Sequence, residues 1–584
     1  MEHPPNAQNP SHVPQVSGVP GPPMASARRE PAAPRSTGPA GKWCKLRTAG
    51  DRGLRAWAAL ARDLLPAACT RRRSLSGTTP ARRWVALTAL FTLALTLRLI
   101  AIDRSYDIHV DECYYVSISR SVAAGDGPAF QGDYFALHPP ALFAVMAVVL
   151  RLSGDTGDPA GLLTAVLSVR PVSACIGAVT VVAVTALLHR AVHAPIAWTA
   201  GLLLTMDPFL NRFDSRAFLE SQAMAATVLG LLVLARLPAT ARRRAVTGAA
   251  AGGLFAVAVT TKDWYALLSF VPVTLLAVAG GRPARGMRLT AAAVTAAGYG
   301  LYVGVTAATG AWDAWRQQKL DGLARALGVN QLTGFNSPHN TTDLHERLVA
   351  RADLFAVSYS LILLGACATF WLLWFRHRQP ARYAGSPARS VITACAGCTF
   401  TALPYTVFFG TLEEQMFYPP LVAGVLALAL TADAARPWDG RKCPGRRTPR
   451  RQVAALPLLF VALALVMDAR VWAEVHTRRD DAHRRLVDWV TAHVPPHQVV
   501  AATDDTVPLV LPRARSQKWS VPAHEGGRRA HYVVVSRQLV EQGYTLIDPA
   551  SYATLSRRAA LVHREPGPTA GALEVYDVRS LMGS

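Results

Sequence analysis

Two adjacent carboxylates make the strongest chemical suggestion in this chain. They sit in the run His109-Val110-Asp111-Glu112-Cys113-Tyr114-Tyr115, which is followed downstream by His138-Pro139-Pro140. A carboxylate held away from bulk water can take a proton from an attacking hydroxyl. In a solvated loop the same residues would be inert. Acids beside apolar segments are costly to keep, and further polar residues mark the ends of other apolar blocks here: Asp214, Arg216 and Glu220; Lys262 and Asp263; Glu413, Glu414 and Tyr418. Arg216 and Glu220 have i,i+4 spacing, which predicts a shared helix face. Brought together, these block ends would form one polar cavity. Asp111 would be the base, and Arg216 and Lys262 the cations that hold and neutralise a departing phosphate.

The elements that must position such a cavity are apolar helices. The chain of 584 residues is 51% hydrophobic and 17% charged, and its apolar residues come in blocks of about twenty, enough to span a bilayer. The sequence predicts a polytopic α-helical membrane protein with about 11 transmembrane helices. They fall near 84–102, 169–189, 194–212, 217–235, 245–261, 264–280, 289–308, 354–375, 390–410, 417–434 and 452–468. Residues 139–152 are too short to span and read as an interfacial helix started by prolines. The net charge of +23 lies largely in the N-terminal tail and in alternate loops, including Arg190, Arg236, Arg242–Arg244 and the cluster from Arg436 to Arg451. That distribution follows the positive-inside rule and argues against nucleic acid as a partner.

Residues 1–80 read as a disordered, basic, Pro-rich cytoplasmic tail, with a short basic amphipathic segment at Leu54–Leu65 that suits a membrane surface or plain solvent equally. No signal peptide is visible before the first span. The membrane domain runs over 81–468, with a catalytic outer loop at 103–168 and a second outer loop at 309–353. Residues 469–584 read as a small extracytoplasmic α/β domain, with a helix at Arg484–Val494 and strands at Val499–Thr503, His531–Val535, Ala560–His563 and Leu573–Val575. Asp504-Asp505 reads there as a turn. Cys395 and Cys398 form a CxxC inside an apolar block and read as helix packing rather than a metal or redox pair. No GxGxxG or Walker loop is present.

The stretch Asp111-Glu112-Cys113-Tyr114-Tyr115-Val116-Ser117-Ile118-Ser119-Arg120 with His138-Pro139-Pro140-Ala141-Leu142 resembles the first outer loop of GT-C glycosyltransferases. It is most similar to the branch of glycosyltransferase family 39 that includes protein O-mannosyltransferases and lipid A aminoarabinose transferases. Ser215-Arg216-Ala217-Phe218-Leu219-Glu220, Thr261-Lys262 and Met416-Phe417-Tyr418-Pro419-Pro420 resemble later motifs of that family. The resemblance implies a polyprenyl-phosphate-linked sugar as donor and an inverting single displacement, with Asp111 as the base. It also implies that Glu112 orients Asp111 or helps coordinate a divalent ion, and that His138, Arg216 and Lys262 bind the donor phosphate. Glu220, Tyr114 and Tyr418 are then supporting residues, and His109 with Asp111 the candidate ligands of a Mg or Mn cofactor. The long basic N-terminal tail departs from the family pattern, and no feature identifies the acceptor as a protein.

The expected activity is therefore hexosyl or pentosyl transfer from a polyprenyl-phosphate sugar to a hydroxyl of a protein, lipid or cell-wall glycan at the outer face of the plasma membrane. The alternative is a polytopic transporter or flippase, which would place acids and interrupted helices near mid-bilayer, often in two related halves. Only an odd number of spans keeps every basic loop on the cytoplasmic side with the N-terminus. A reporter fused after residue 470 is thus expected to be active only outside the membrane; activity inside would overturn the eleven-span reading.

Overall fold

The computed structural model describes residues 80–155, 157–279, 281–329, 351–378, 386–435, 450–511, 514–516 and 530–582. The N-terminal tail, the segment at Leu54–Leu65, most of the cluster from Arg436 to Arg451 and the distal part of the second outer loop lie outside these residues.

Each of the eleven predicted segments contains a helix. In chain order the helices are α1 (Pro80–Leu99), α2 (Val110–Ala124), α3 (Ala141–Leu152), α4 (Leu162–Ala191), α5 (Ala194–Met206), α6 (Pro208–Asp214), α7 (Leu219–Leu234), α8 (Ala241–Val259), α9 (Phe270–Ala279), α10 (Arg282–Ala308), α11 (Trp312–Ala326), α12 (Ala352–Arg378), α13 (Pro387–Phe408), α14 (Tyr418–Ala435) and α15 (Arg450–Thr477). By length and apolar composition alone, five of the described helices qualify as spans, and six if α6 and α7 count as one bent by 108°. Several of the others, such as α5 and α9, are shorter than a bilayer needs and carry the polar break at one end.

α1 packs on α4, α4 on α7, α7 on α8, α8 on α10, and α12 on α14, around one apolar core. Gly177 on α4 faces α6, where an added Cβ would fall 2.2 Å from Cγ of Asp214, so only glycine admits that carboxylate. The first outer loop holds α2 and α3, joined through the two-residue hairpin Ala129–Phe130 with Asp133–Tyr134. α2 ends at Gly125, whose φ of 103° lets its N–H cap the Ser121 and Val122 carbonyls. The interfacial helix predicted for 139–152 is α3. Its Ala141 N–H donates to the Thr260 carbonyl at the end of α8 (3.0 Å). α11 lies over the same loop: Gln318 accepts from the Ala136 and Leu137 N–H groups, and Lys319 donates to the Leu137 carbonyl.

The chain then forms a five-stranded mixed sheet flanked by helices. Its strands, numbered on from the hairpin's β1 and β2, are β3 (Val500–Ala502), β4 (Ala514–Ser516), β5 (Tyr532–Ser536), β6 (Ala560–Gly567) and β7 (Gly571–Asp577), in the order β4-β3-β5-β7-β6. β3 pairs in parallel with β4 and β5, and β5 and β6 each pair antiparallel with β7. The four predicted strands correspond to β3, β5, β6 and β7. The fifth, Ala514–Ser516, is short and flanked by basic and polar residues, so no alternation announced it. Asp504 accepts from the Thr506 and Val507 N–H groups (2.8 and 3.0 Å), so the Asp504-Asp505 turn starts the short helix Thr506–Val510.

This domain is fastened to the first outer loop by a buried joint. His483, in the helix Ala482–His493, places Nδ1 2.9 Å from Asp107 Oδ2, and the Asp480 N–H donates to the Arg104 carbonyl (2.8 Å). Both side chains of the His483–Asp107 pair are at least 95% buried. Burial alone would lower the His483 pKa, but Asp107 beside it, with Asp504 and Asp480, raises it; burial would likewise raise Asp107, and His483 lowers it. The raised histidine contributes stability at low pH that is lost as pH rises through its folded pKa. The depressed carboxylate contributes stability that is lost as pH falls through its own. Docking is therefore strongest between the two. Asp107→Asn leaves a buried histidine without its counter-charge and should cost about 3–5 kcal/mol. Hydrogen exchange of 482–582 from pH 5 to 9 checks this; unchanged protection in the variant would refute the joint.

Candidate active site

The site begins with a helix start. His109 and Glu112 cap α2 reciprocally: Nδ1 of His109 accepts the Asp111 N–H, and Glu112 accepts the His109 N–H, each at 3.2 Å. Glu112 does more than cap. It is fully buried and receives Nε and Nη2 of Arg170 from α4 (3.0 and 2.8 Å) and the Ala217 N–H from the turn before α7 (2.9 Å). Arg170 in turn donates to the carbonyls of Ile102, Tyr106 and Asp107. Burial raises the Glu112 pKa, but Arg170 overrides it and holds the carboxyl below its ordinary range. Both Glu112 oxygens are thus committed to protein donors. Its four accepted hydrogen bonds tie the first outer loop to α4 and to the turn before α7.

Asp111, one residue earlier, points the other way. No side-chain hydrogen bond engages its carboxylate; Nδ1 of His109 lies 3.9 Å from Oδ2, and the Asp111 side chain is 30% exposed. Burial raises its pKa and the nearby Glu413 raises it further, with Lys262 and Arg325 opposing, to about 6. A carboxyl near that value is ionised at neutral pH yet basic enough to accept a proton. His109 goes the other way: burial and Arg216 push its pKa down to about 4, so its ring is neutral. His138 is also driven well below its usual value, by burial and by Lys262, Lys319 and Arg325. Its ring packs on Tyr115 and Phe135.

The remaining predicted residues separate into two groups. Arg216 is 1% exposed, and its Nε and Nη2 have no hydrogen-bond partner. It lies 5.5 Å from the Tyr106 ring centroid, within electrostatic reach of His109 and Glu112. It does not share a helix face with Glu220. Ser215–Phe218 is the bend between α6 and α7, and only Glu220 is in a helix, because the Ala217 N–H turns out to meet Glu112. Glu220 instead forms a short buried ion pair with Lys262, which is 3% exposed. Lys262 is therefore matched by a carboxylate rather than open to a phosphate. Tyr418 is fully buried and donates to Asp214 (2.7 Å), which also receives Ser221 and Arg98 (2.7 and 2.9 Å). That network braces α6 against α1, α7 and α14. Tyr114 packs on Phe130, with the ring centroids 4.7 Å apart. Burial, Asp505 and Asp111 push its hydroxyl up to about 12.

Several residues that build the site were not among those singled out from the sequence. Arg98 and Arg170 lie within apolar segments, and a charge there requires a partner, so their positions were a usable signal. Arg212 and Arg351 both grip Glu414, and Arg325 holds Glu413 at 2.9 Å. Nothing in their local sequence points to this. Among the described residues, no group of three His, Cys, Asp or Glu side chains is placed to hold a metal. At His109, Nδ1 already accepts the Asp111 N–H (3.2 Å), so Nε2 is the ring nitrogen that a ligand would have to use.

No known family profile matches the chain, and no curated protein is similar to it in sequence. The fold does have solved counterparts. ArnT from Cupriavidus metallidurans bound to undecaprenyl phosphate aligns with a TM-score of 0.52 at 16% identity, covering 86% of this chain and 99% of ArnT. The apo state of the same protein aligns at 0.51 and 15%, with the same coverage. The chain is a multi-pass membrane protein that shares the fold of ArnT.

The raised Asp111 pKa has a stability consequence. A carboxyl that is harder to ionise when folded destabilises the protein above its folded pKa, and not below its unfolded one near 3.8. Asp111→Asn should therefore be more stable than wild type at pH 8, by about 1 kcal/mol after solvent screening, and equal to it at pH 4. Thermal unfolding at the two pH values checks this. Equal or lower stability of the variant at pH 8 would count against the cleft environment described for Asp111.

Proposed function

We propose that this protein transfers a sugar, hexose or pentose, from polyprenyl phosphate to the hydroxyl of an acceptor at the membrane surface. One observation carries the reading: Asp111 accepts no side-chain hydrogen bond and has only the His109 ring at 3.9 Å, while Arg216, within electrostatic reach of His109, keeps Nε and Nη2 without a partner. Asp111 takes the proton from the acceptor hydroxyl. The acceptor oxygen bonds to the anomeric carbon as the bond from that carbon to the phosphate oxygen breaks. The departing electron pair remains on the phosphate, whose charge Arg216 neutralises, with Arg212 adding to the field. A single displacement of this kind inverts the anomeric centre. ArnT's bound undecaprenyl phosphate supports a lipid phosphate as the donor's leaving group. The basic-loop distribution supports a plasma-membrane protein with the N-terminus in the cytoplasm and the cleft outside.

Membranes containing the protein would be supplied with radiolabelled polyprenyl-phosphate sugars. Asp111→Asn should lower transfer about 10²–10⁴-fold. Wild-type transfer should fall as pH drops below about 6, where Asp111 becomes protonated. Arg216→Ala should weaken the chemical step without restoring a basic limb. Undiminished transfer by Asp111→Asn would remove it as base. Solute flux without transfer from any lipid donor would favour a transporter.

A further inference from the structure

At the end of the bundle away from Asp111, α4 and α7 bring together His189, Arg190 and Arg236. The geometry is set by packing. α4 contacts both α1 and α7, and the last turn of α4 lies beside the end of α7. Nη1 of Arg190 hydrogen-bonds the Leu232 carbonyl, which ties the guanidinium to the end of α7 beside Arg236. Arg83 and Arg236 both lie within electrostatic reach of Arg190, and Arg83 within reach of His189. His189 is held edge-on to Trp198, at 4.9 Å between ring centroids. Its Nε2 and the Nε of Arg236 are buried and have no hydrogen-bond partner. Asp433, an acid at this end of α4, is held by Arg389 and by the His193 N–H rather than by Arg190 or Arg236.

Like charges gathered at a low-dielectric boundary repel one another unless an anion lies among them. Arginine forks offer paired N–H donors that match phosphate oxygens, and basic pockets between membrane helices take up lipid head groups. We infer that Arg190 and Arg236, with His189 beside them, form a binding site for the phosphate of an anionic phospholipid, separate from the Asp111 site and at the opposite membrane surface. The phosphodiester sits between the two guanidinium groups, and the acyl chains lie along the bundle in the bilayer. Exposed arginines nearby, such as Arg242 and Arg243, belong to the general surface charge and not to the site.

The full-length protein in neutral-lipid nanodiscs would be titrated with phosphatidylglycerol, phosphatidylcholine or inorganic phosphate, with bound lipid counted by native mass spectrometry and thermal unfolding followed in parallel. Wild type should retain phosphatidylglycerol and be stabilised by it, and not by the other two. Arg236→Gln should weaken retention about tenfold, and Arg190→Gln with Arg236→Gln should abolish the preference. Arg242→Gln with Arg243→Gln should leave it unchanged. If the double variant does not fold, Arg236→Gln decides, because the Arg236 Nε makes no bond within the protein. The proposal is overturned by equal retention of phosphatidylglycerol and phosphatidylcholine. It is also overturned by equal loss in the Arg242/Arg243 control, or by matching stabilisation from inorganic phosphate.

Discussion

The site depends on one buried ion pair, Glu112 with Arg170. Two charges out of water carry a desolvation cost of several kcal/mol each, and the pair is tolerable only because both ends are saturated. Glu112 receives two arginine N–H groups, a backbone N–H from its own helix cap and another from the α6–α7 bend. Arg170 also satisfies three carbonyls of the first outer loop. One residue thereby registers that loop against α4 and α7 at once. The neighbouring Asp111 can then remain unpartnered at a defined place.

The same logic sorts the other charges at this end of the bundle. Asp214 is matched by Arg98, Ser221 and Tyr418; Glu220 by Lys262; Glu414 by Arg212 and Arg351. Each matched group is a support, since breaking it would strand a charge in an apolar surround. What the matching leaves over is informative. Asp111, a carboxylate with a pKa near 6, and Arg216, a guanidinium with open donors, are not matched in this way, and the proposed transfer uses both.

The C-terminal domain takes part in this arrangement. Asp107, held by His483, lies in the loop whose carbonyl also receives Arg170, two residues before the His109 cap. The position of the sheet domain and the start of α2 are therefore mechanically linked, and the Asp505 turn reaches the surroundings of Tyr114. A folded domain outside the membrane core here steadies a helix start inside the cleft.

The sequence by itself determined the helical membrane architecture, the position of each apolar segment and the strands of the C-terminal domain, because hydrophobic periodicity is a local property. It also singled out Asp111 and Arg216, through short motifs that sit together in the chain. It misjudged relations between residues that depend on the path of the backbone. Arg216 and Glu220 have helical spacing, yet the bend at Ser215–Phe218 separates them and sends Glu220 to Lys262. The resemblance marked Asp111 as base and Glu112 as its orienting neighbour, and the placement of Arg170 on α4 gives the physical means by which Glu112 is held. Charge pairing acts over a few ångströms in space between residues far apart in the chain, such as Glu112 with Arg170 and Asp107 with His483. Tertiary packing alone decided which charged groups were matched and which were left to do chemistry.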